Sequence, residues 1–294
     1  MINTLVTGAN GALGRAVIAE LKKQGNYRIF TTTSRENVSV DNDSTQFICD
    51  FRHPEQLTSI LDLTTPDLIL HLGASFTNNI TEAYLLNVAP ANHMLDLIER
   101  RKAHTRLILI GSAAEYGIIK PEENPINEEQ TLQPVSVYGV SKAWQTQLLG
   151  LYASRNIDVV CARIFNLFGP GISERLFAGR IQKQIEELKG NRRSSINIGS
   201  LDAIRDYISI YDAAQQLLLI AEQGLSGQTY HIGSGAGISM RNFLINQLEK
   251  NSMSASVIQE SPNFSNRQGF DVPVIFASMK KTNQLVCFAD KIKS

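Results

Sequence analysis

Cysteine, tryptophan and net charge are what this chain has least of. Its 294 residues hold three cysteines and one tryptophan. Cys49, Cys161 and Cys287 lie far apart among apolar neighbours. An odd count without close spacing argues against a disulfide framework or a metal cluster, and leaves reduced, buried thiols as the expected state. Lys and Arg number 28 against 28 Asp and Glu, so formal charge is zero. No basic field is available for nucleic acid or an anionic membrane surface, and an anionic ligand has to be met by local groups. No apolar run approaches the roughly 18 residues of a membrane span. The chain enters a strand pattern at Ile2 without a basic leader, and it shows no internal repeat or low-complexity segment. The expectation is a cytoplasmic enzyme with no nucleic-acid, membrane or metal partner, built as one large domain or two modest ones.

What is present is a regular alternation of strand and helix. Strand patterns at 2–7, 27–33, 45–50, 67–72, 106–110 and 157–163 are separated by helical patterns at 15–24, 54–63, 81–101 and 136–154. That order predicts an α/β fold with a doubly wound parallel sheet over residues 1–165. Beyond it the pattern changes. A turn-rich exit from Phe165 to Gly171 leads to a helix at 173–189, a short strand at 196–198, a strand at 205–210, a helix at 212–222, a strand at 228–232 and a helix at 239–250.

The first strand runs into Gly8-Ala9-Asn10-Gly11-Ala12-Leu13-Gly14 and then a helix. A strand, a glycine turn and a helix amino terminus make a site for an anion such as a pyrophosphate. Gly8 allows the turn, Gly11 admits the ligand to the backbone and Gly14 lets helix and strand pack closely. The second strand ends at Thr33-Ser34-Arg35, with no acid before Glu36. A hydroxyl and a guanidinium there suit a 2′-phosphate, which favours NADP over NAD. Asp50 closes the third strand within reach of an adenine amino group. The fourth strand ends in small residues, Gly73-Ala74-Ser75, that let a cofactor lie close, and Asn87 is placed to tie strand ends together. Ser112 follows the fifth strand at the carboxyl edge, where open α/β sheets bind ligands.

Tyr138 and Lys142 are four residues apart and share a helix face. A phenol with its ordinary pKa of about 10 is a poor proton carrier near neutrality. A neighbouring ammonium lowers that pKa and suits the phenol to proton exchange with an alcohol or ketone.

Glycine turn, strand-end serine, Tyr138-x-x-x-Lys142 and the Arg205-Asp206-Tyr207 segment together resemble the extended short-chain dehydrogenase/reductase family of nucleotide-sugar epimerases, dehydratases and ketoreductases. The resemblance spans nearly the whole chain and implies a Rossmann domain over 1–165, with segments of about 205–232 returning to it. Residues 166–204 and 233–294 would form a smaller substrate-binding lobe. It further implies a catalytic triad of Ser112, Tyr138 and Lys142. Cofactor contacts would come from Asn10, Ala12 and Leu13 in the turn, from Phe51, Leu72 and Ile164 at strand ends, from Asn87, and from Tyr138 and Lys142. Sugar-nucleotide contacts would come from Ser75, Ser112, Ala113, Glu115, Asn166 and Arg180, with Arg205 on the diphosphate. A homodimer through the helices at 81–101 and 136–154 is implied as well.

Within the family, Ile110–Gly117, Pro121–Pro125 and Gly199–Asp206 most resemble the reductases of GDP-4-keto-6-deoxy-mannose. Family dehydratases carry an acid where this chain has Ala114, preceded by Ala113. Alanine cannot move a proton, so dehydration is disfavoured. The expectation is an NADP(H)-dependent 4-ketoreductase of a GDP-linked keto sugar. A 4-epimerase holding NAD is the nearest alternative, and a non-catalytic nucleotide sensor a more distant one.

Overall fold

The computed structural model describes residues 1–34, 44–264 and 272–285. Its main sheet has seven strands: β1 (Ile2–Thr7), β2 (Tyr27–Thr33), β3 (Thr45–Ile48), β4 (Leu68–His71), β5 (Arg106–Ser112), β6 (Val159–Ile164) and β10 (Thr229–Ile232). Their order is β10-β6-β5-β4-β1-β2-β3, and every neighbouring pair is parallel. The order reverses between β1 and β4, which is where a doubly wound sheet opens a ligand crevice at its carboxyl edge.

Both faces of this sheet are dry. Leu5, Ile69, Leu107 and Leu109 enter a core with α2 (Pro54–Thr64), α4 (Ala89–Arg101) and α5 (Val137–Ala153). The alternate residues Val6, Leu70, Ile108 and Ile110 enter a core with α1 (Ala12–Gln24) and α7 (Ile210–Gln223). Continuous apolar strands such as Leu-Ile-Leu at 68–70 follow from burial on both sides. Each fully buried Leu or Ile contributes about 1.5–3 kcal/mol relative to exposure.

A second sheet builds the lobe. β9 (Ile204–Ser209) pairs with β11 (Gly237–Ser239), with β13 (Val274–Ile275) and with β7 (Asn166–Phe168). Against it lies a core of Phe177, Ile181 and Ile185 from α6 (Phe177–Lys189) and Phe243, Leu244 and Leu248 from α8 (Met240–Lys250). β8 (Ile196–Ile198) pairs with β12 (Ile258–Glu260) beside it. Of the segments at 205–232, α7 and β10 do join the main sheet and its helix layer, but β9 belongs to the lobe sheet. The exit at 166–168 is a strand rather than a turn, and α6 begins at Phe177, four residues later than the sequence pattern implies.

The long helix at 81–101 is interrupted. α3 (Ile80–Ala83) passes through a π-helical turn at Tyr84–Val88 into α4. Pro90 sits in the first turn of α4 and cannot donate to the turn before it. The wider π turn absorbs the mismatch and places Asn87 inward, fully buried.

Candidate active site

The β1–α1 turn is shaped for an anion. Gly8 has φ +66°, and a Cβ there would meet the Gly73 nitrogen at 2.7 Å. A Cβ on Gly14 would meet the Gly8 carbonyl oxygen at 2.6 Å. Gly11 caps α1 without a side-chain hydrogen bond, and the first turn carries no acid. The helix-start amides at Ala12 and Leu13 thus keep donors for a ligand. Asn10 donates from Nδ2 to Thr33 Oγ1 at 2.6 Å, while its buried Oδ1 has no partner among the described residues. Glycine cradle, uncapped helix and orphaned amide oxygen fit a dinucleotide pyrophosphate and its ribose.

Around this cradle Ser34 is exposed at the end of β2, and Arg35 lies outside the described residues. Asp50 is not a free carboxylate waiting for adenine. Arg52 grips both its oxygens, with Nη2 at 2.6 Å from Oδ2 and Nε at 3.0 Å from each. Those bonds hold its carboxyl down to about 2. Phe51 packs under Gly73, where a Cβ would meet its Cε2 at 2.4 Å, and against His71. Leu72 is half-buried and Ala74 exposed beside them, while Ile164 pairs with Ser112 and turns its side chain into the core.

Ser112 ends β5 and begins a 3₁₀ turn at Ala113–Glu115. The first turn of α5 rests directly on it. A Cβ at Gly139 would meet the Ala114 carbonyl oxygen at 2.4 Å, so glycine after Tyr138 permits the approach. Ser136 caps the helix by accepting from the Gly139 amide at 3.0 Å. This seating places the Tyr138 hydroxyl beside the Ser112 side chain, which acts to lower the phenol. Tyr138 is half-buried. The ring stacks on Phe76, centroids 4.2 Å apart and planes 28° apart.

The electrostatics differ from the sequence expectation. Burial drives the Tyr138 phenol well above 10; the Ser112 side chain opposes this and the charge of Glu115 adds to it. Lys142 does not lower it. The ammonium is buried and donates instead to Gln145 Oε1, a turn further along α5. Burial brings Lys142 down to about 8, against the opposing pull of Glu115 and Cys161.

Asn87 ties the site together. Its Oδ1 accepts from the Ser75 amide at 2.7 Å, and its Nδ2 donates to Ser75 O at 3.0 Å and to Ser141 Oγ at 2.9 Å. The loop after β4 is thereby pinned to α5.

Other expected ligand contacts are placed differently. Glu115 is fully buried and cannot meet a substrate, because the 3₁₀ turn directs it under β5. One oxygen accepts from the Ser112 amide at 2.6 Å, and the other from Arg163 Nε and Nη2 at 3.0 and 2.9 Å. Arg205 is 8% exposed and donates to the carbonyls of Ile204 and Pro273. Asn166 donates to Asp206 O at 3.0 Å, Ala113 packs on a small core around Tyr116 and Phe165, and Arg180 is half-buried on α6. Sequence reasoning passed over Phe76, Gln145 and Arg163. A cation inside the otherwise apolar β6 was the signal for a buried ion pair, and Ser112-x-x-Glu115 has capping-box spacing.

A cavity of about 330 Å³ lies between the ends of α2 and α4 at the amino edge of the sheet, lined by Leu61, Ile69, Leu97 and Ile98, and contains none of these residues. No helix among the described residues is long and apolar enough to cross a membrane.

The profile of the family described as "NAD dependent epimerase/dehydratase family" matches residues 4–233. The chain is 27% identical over 241 residues to a GDP-6-deoxy-D-talose 4-dehydrogenase of Aggregatibacter actinomycetemcomitans, covering 80% of this chain and 76% of the relative. It is 26% identical over 188 residues to a GDP-6-deoxy-D-mannose reductase of Pseudomonas aeruginosa, covering 61% of each. UDP-glucose 4-epimerases are also among its relatives. The solved structure of RMD from Pseudomonas aeruginosa complexed with NADPH superposes with a TM-score of 0.81, at 19% identity over 96% of this chain and 91% of that one, a likeness of fold.

Proposed function

The chain belongs to the NAD dependent epimerase/dehydratase family, and on that premise we propose that it is an NADP(H)-dependent 4-ketoreductase of a GDP-linked 4-keto-6-deoxy sugar. The observation that carries the reading is the Ser112–Tyr138 hydroxyl pair at the carboxyl edge, with alanine at 113 and 114 where dehydration needs an acid. Relatives acting on GDP-6-deoxy sugars support the choice of substrate.

Bound NADPH supplies the hydride to C4. Gly8, Gly11 and the start of α1 hold the pyrophosphate. Ser112 hydrogen-bonds the C4 oxygen. Tyr138, whose buried phenol keeps its proton at neutral pH, gives that proton up as negative charge develops on the oxygen. A donor aimed at developing charge contributes about 3 kcal/mol, so Tyr138→Phe should lower kcat at least about a hundredfold and leave cofactor affinity nearly unchanged.

The decisive assay follows NADPH absorbance with GDP-4-keto-6-deoxy-mannose, beside NADH and a dTDP-linked keto sugar. Oxidation of NADPH with the GDP substrate is expected. Interconversion of a stable nucleotide sugar without net cofactor use, and no oxidation with any keto sugar, would make the enzyme a 4-epimerase and refute the proposal.

The same reading makes the protein a homodimer. Ile80, Tyr84, Leu85, Val140, Trp144 and Leu151 expose large apolar side chains along α3, the π turn and α5, and the Tyr84 and Trp144 rings lie 5.0 Å apart. A stripe of this kind is suited to burial against a second copy. A monomeric mass by light scattering would refute it. The cytoplasm is the compartment we assign, in keeping with the free buried thiols of Cys49 and Cys161.

A further inference from the structure

The loop after β4 carries a second aromatic ring onto Tyr138. Phe76 stacks on it with centroids 4.2 Å apart, yet Phe76 is 42% exposed and enters none of the apolar cores. Its backbone is held on both sides by the main domain. Ser75, before it, exchanges hydrogen bonds with Asn87 in the π turn. Thr77, after it, donates from Oγ1 to Glu82 Oε2 at 2.6 Å and accepts from the Asn79 amide at 3.2 Å. Phenylalanine has few rotatable bonds beyond its Cα, so a fixed backbone leaves the ring few directions.

The carbonyl of Phe76 is held from the lobe. Arg175, 99 residues later in the chain, donates to it from Nη1 at 3.1 Å. Arg175 lies in the turn between β7 and α6, and that turn is seated on α6. The Leu176 amide donates to Ser173 O at 2.9 Å, the Arg175 amide to Ser173 Oγ at 3.3 Å, and Glu174 pairs with Lys183 of α6 at 2.7 Å. A Cβ at Gly179 would meet the Ser173 and Ile172 carbonyl oxygens at 2.2 and 2.5 Å, so a glycine there lets α6 close onto the turn. α6 carries Phe177 and Ile181 into the lobe core. Lobe, Arg175, Phe76 and Tyr138 thus form one chain of contacts.

We propose that Phe76 is a positioning residue for Tyr138: its ring sets the plane in which the phenol is presented, and Arg175 sets that ring by holding the Phe76 carbonyl. The lobe thereby orients a proton donor that belongs to the main domain. The proposal rests on the functional reading above, which makes Tyr138 the donor to the C4 oxygen. Stacked aromatic rings have preferred geometries, so a ring seated on another resists reorientation. An exposed ring and an exposed guanidinium contribute little to stability, so neither is needed for the fold. Orientation is where such contacts have leverage, because a misplacement of about 1 Å at a reacting group can cost about a hundredfold in rate.

The test reads the Tyr138 ring directly. In protein with ring-labelled tyrosine, the Tyr138 signals are assigned by their loss in Tyr138→Phe and recorded by NMR without substrate. A ring stacked at 4.2 Å displaces them upfield. Phe76→Leu should remove that displacement and lower kcat at least about tenfold, with KM changed little. Phe76→Tyr keeps the stack and should restore most of the turnover lost in Phe76→Leu. Arg175→Met keeps the length of the side chain and removes the donor. It should move the Tyr138 signals in the same sense as Phe76→Leu and lower kcat, again with little change in KM. Both positions are exposed, so the variants should fold. Tyr138 signals unmoved in Phe76→Leu or in Arg175→Met would overturn the proposal, as would wild-type kcat in either. A raised KM in Arg175→Met with unmoved Tyr138 signals would make Arg175 a substrate contact instead, and would also overturn it. Wild-type protein inactive on every keto sugar would defeat the functional reading alone, because the NMR arm still decides whether Phe76 and Arg175 place Tyr138.

Discussion

Replacing Asn87 with alanine should separate the scaffold of the site from its chemistry. Asn87 is fully buried, and alanine removes three hydrogen bonds at once, at 2.7, 3.0 and 2.9 Å. Ser141 keeps a partner, because its hydroxyl donates to Tyr138 O at 2.8 Å. Ser75 loses the partner of both its amide and its carbonyl. At about 1 kcal/mol per bond, the change should destabilise the protein by about 3 kcal/mol. For a chain of this size that corresponds to about 6–12 °C in melting temperature. Ser75 also precedes Phe76, whose ring lies on Tyr138. A loosened Ser75 should therefore lower kcat beyond the loss of folded protein. Calorimetry of Asn87→Ala beside Asn87→Asp gives the comparison. Aspartate retains the acceptor for the Ser75 amide but turns an oxygen toward the Ser75 carbonyl, and should cost at least as much. A melting temperature within about 2 °C of wild type for the alanine variant would refute the claim that Asn87 pins the loop.

Gly139→Ala would drive a Cβ to 2.4 Å from the Ala114 carbonyl oxygen and lift the start of α5 off the serine turn. Turnover should fall at least about a hundredfold, as for loss of an oriented donor, with cofactor affinity nearly unchanged by fluorescence titration; wild-type kcat would contradict the seating described. His71 and His231 are both lowered to about 3 by burial. Between about 6.5 and 3 the unfolded chain binds protons that the folded one does not, so stability falls as pH falls, by about 1.4 kcal/mol per unit for each histidine. Urea unfolding from pH 6.5 to 4.5 should show this slope, and His231→Gln should reduce it by about one proton; an unchanged slope would show that His231 is not held neutral. Trp144→Asp should convert the proposed dimer to a monomer by light scattering, and a dimer that persists would remove the α5 face from the interface.

Much of the main sheet was legible because its signals are local. Apolar strand runs, the Gly8–Gly14 turn and caps such as Ser136 are read within a few residues of themselves. β9 was legible as a strand, but its partners β7, β11 and β13 are short and distant in sequence, so nothing local assigned it to the second sheet. The π turn escaped notice although Pro90 announced it. The roles of Glu115 and Arg205 could not be read from residue type, since a charged side chain in a motif is equally suited to a ligand or to the interior. The 3₁₀ turn after β5, which buries the carboxylate, decides the case of Glu115. Tyr138 and Lys142 were found through their helical spacing, but helical spacing does not reveal that Gln145 competes for the ammonium.

β9 carries Tyr207 into the lobe core and Ile208, the next residue, into the core of the main sheet. The chain before it builds lobe, the chain after it returns to the main sheet through α7 and β10, and β11, α8 and β12 build lobe again. The lobe is thus not a cassette. No single pair of cuts removes it, and a recombination event that exchanged it between relatives would split one strand's two faces between different parents. Change in the lobe on this scaffold should therefore come by point substitution rather than by module exchange. A chimera joined within β9 should fail to fold even when both parents are stable.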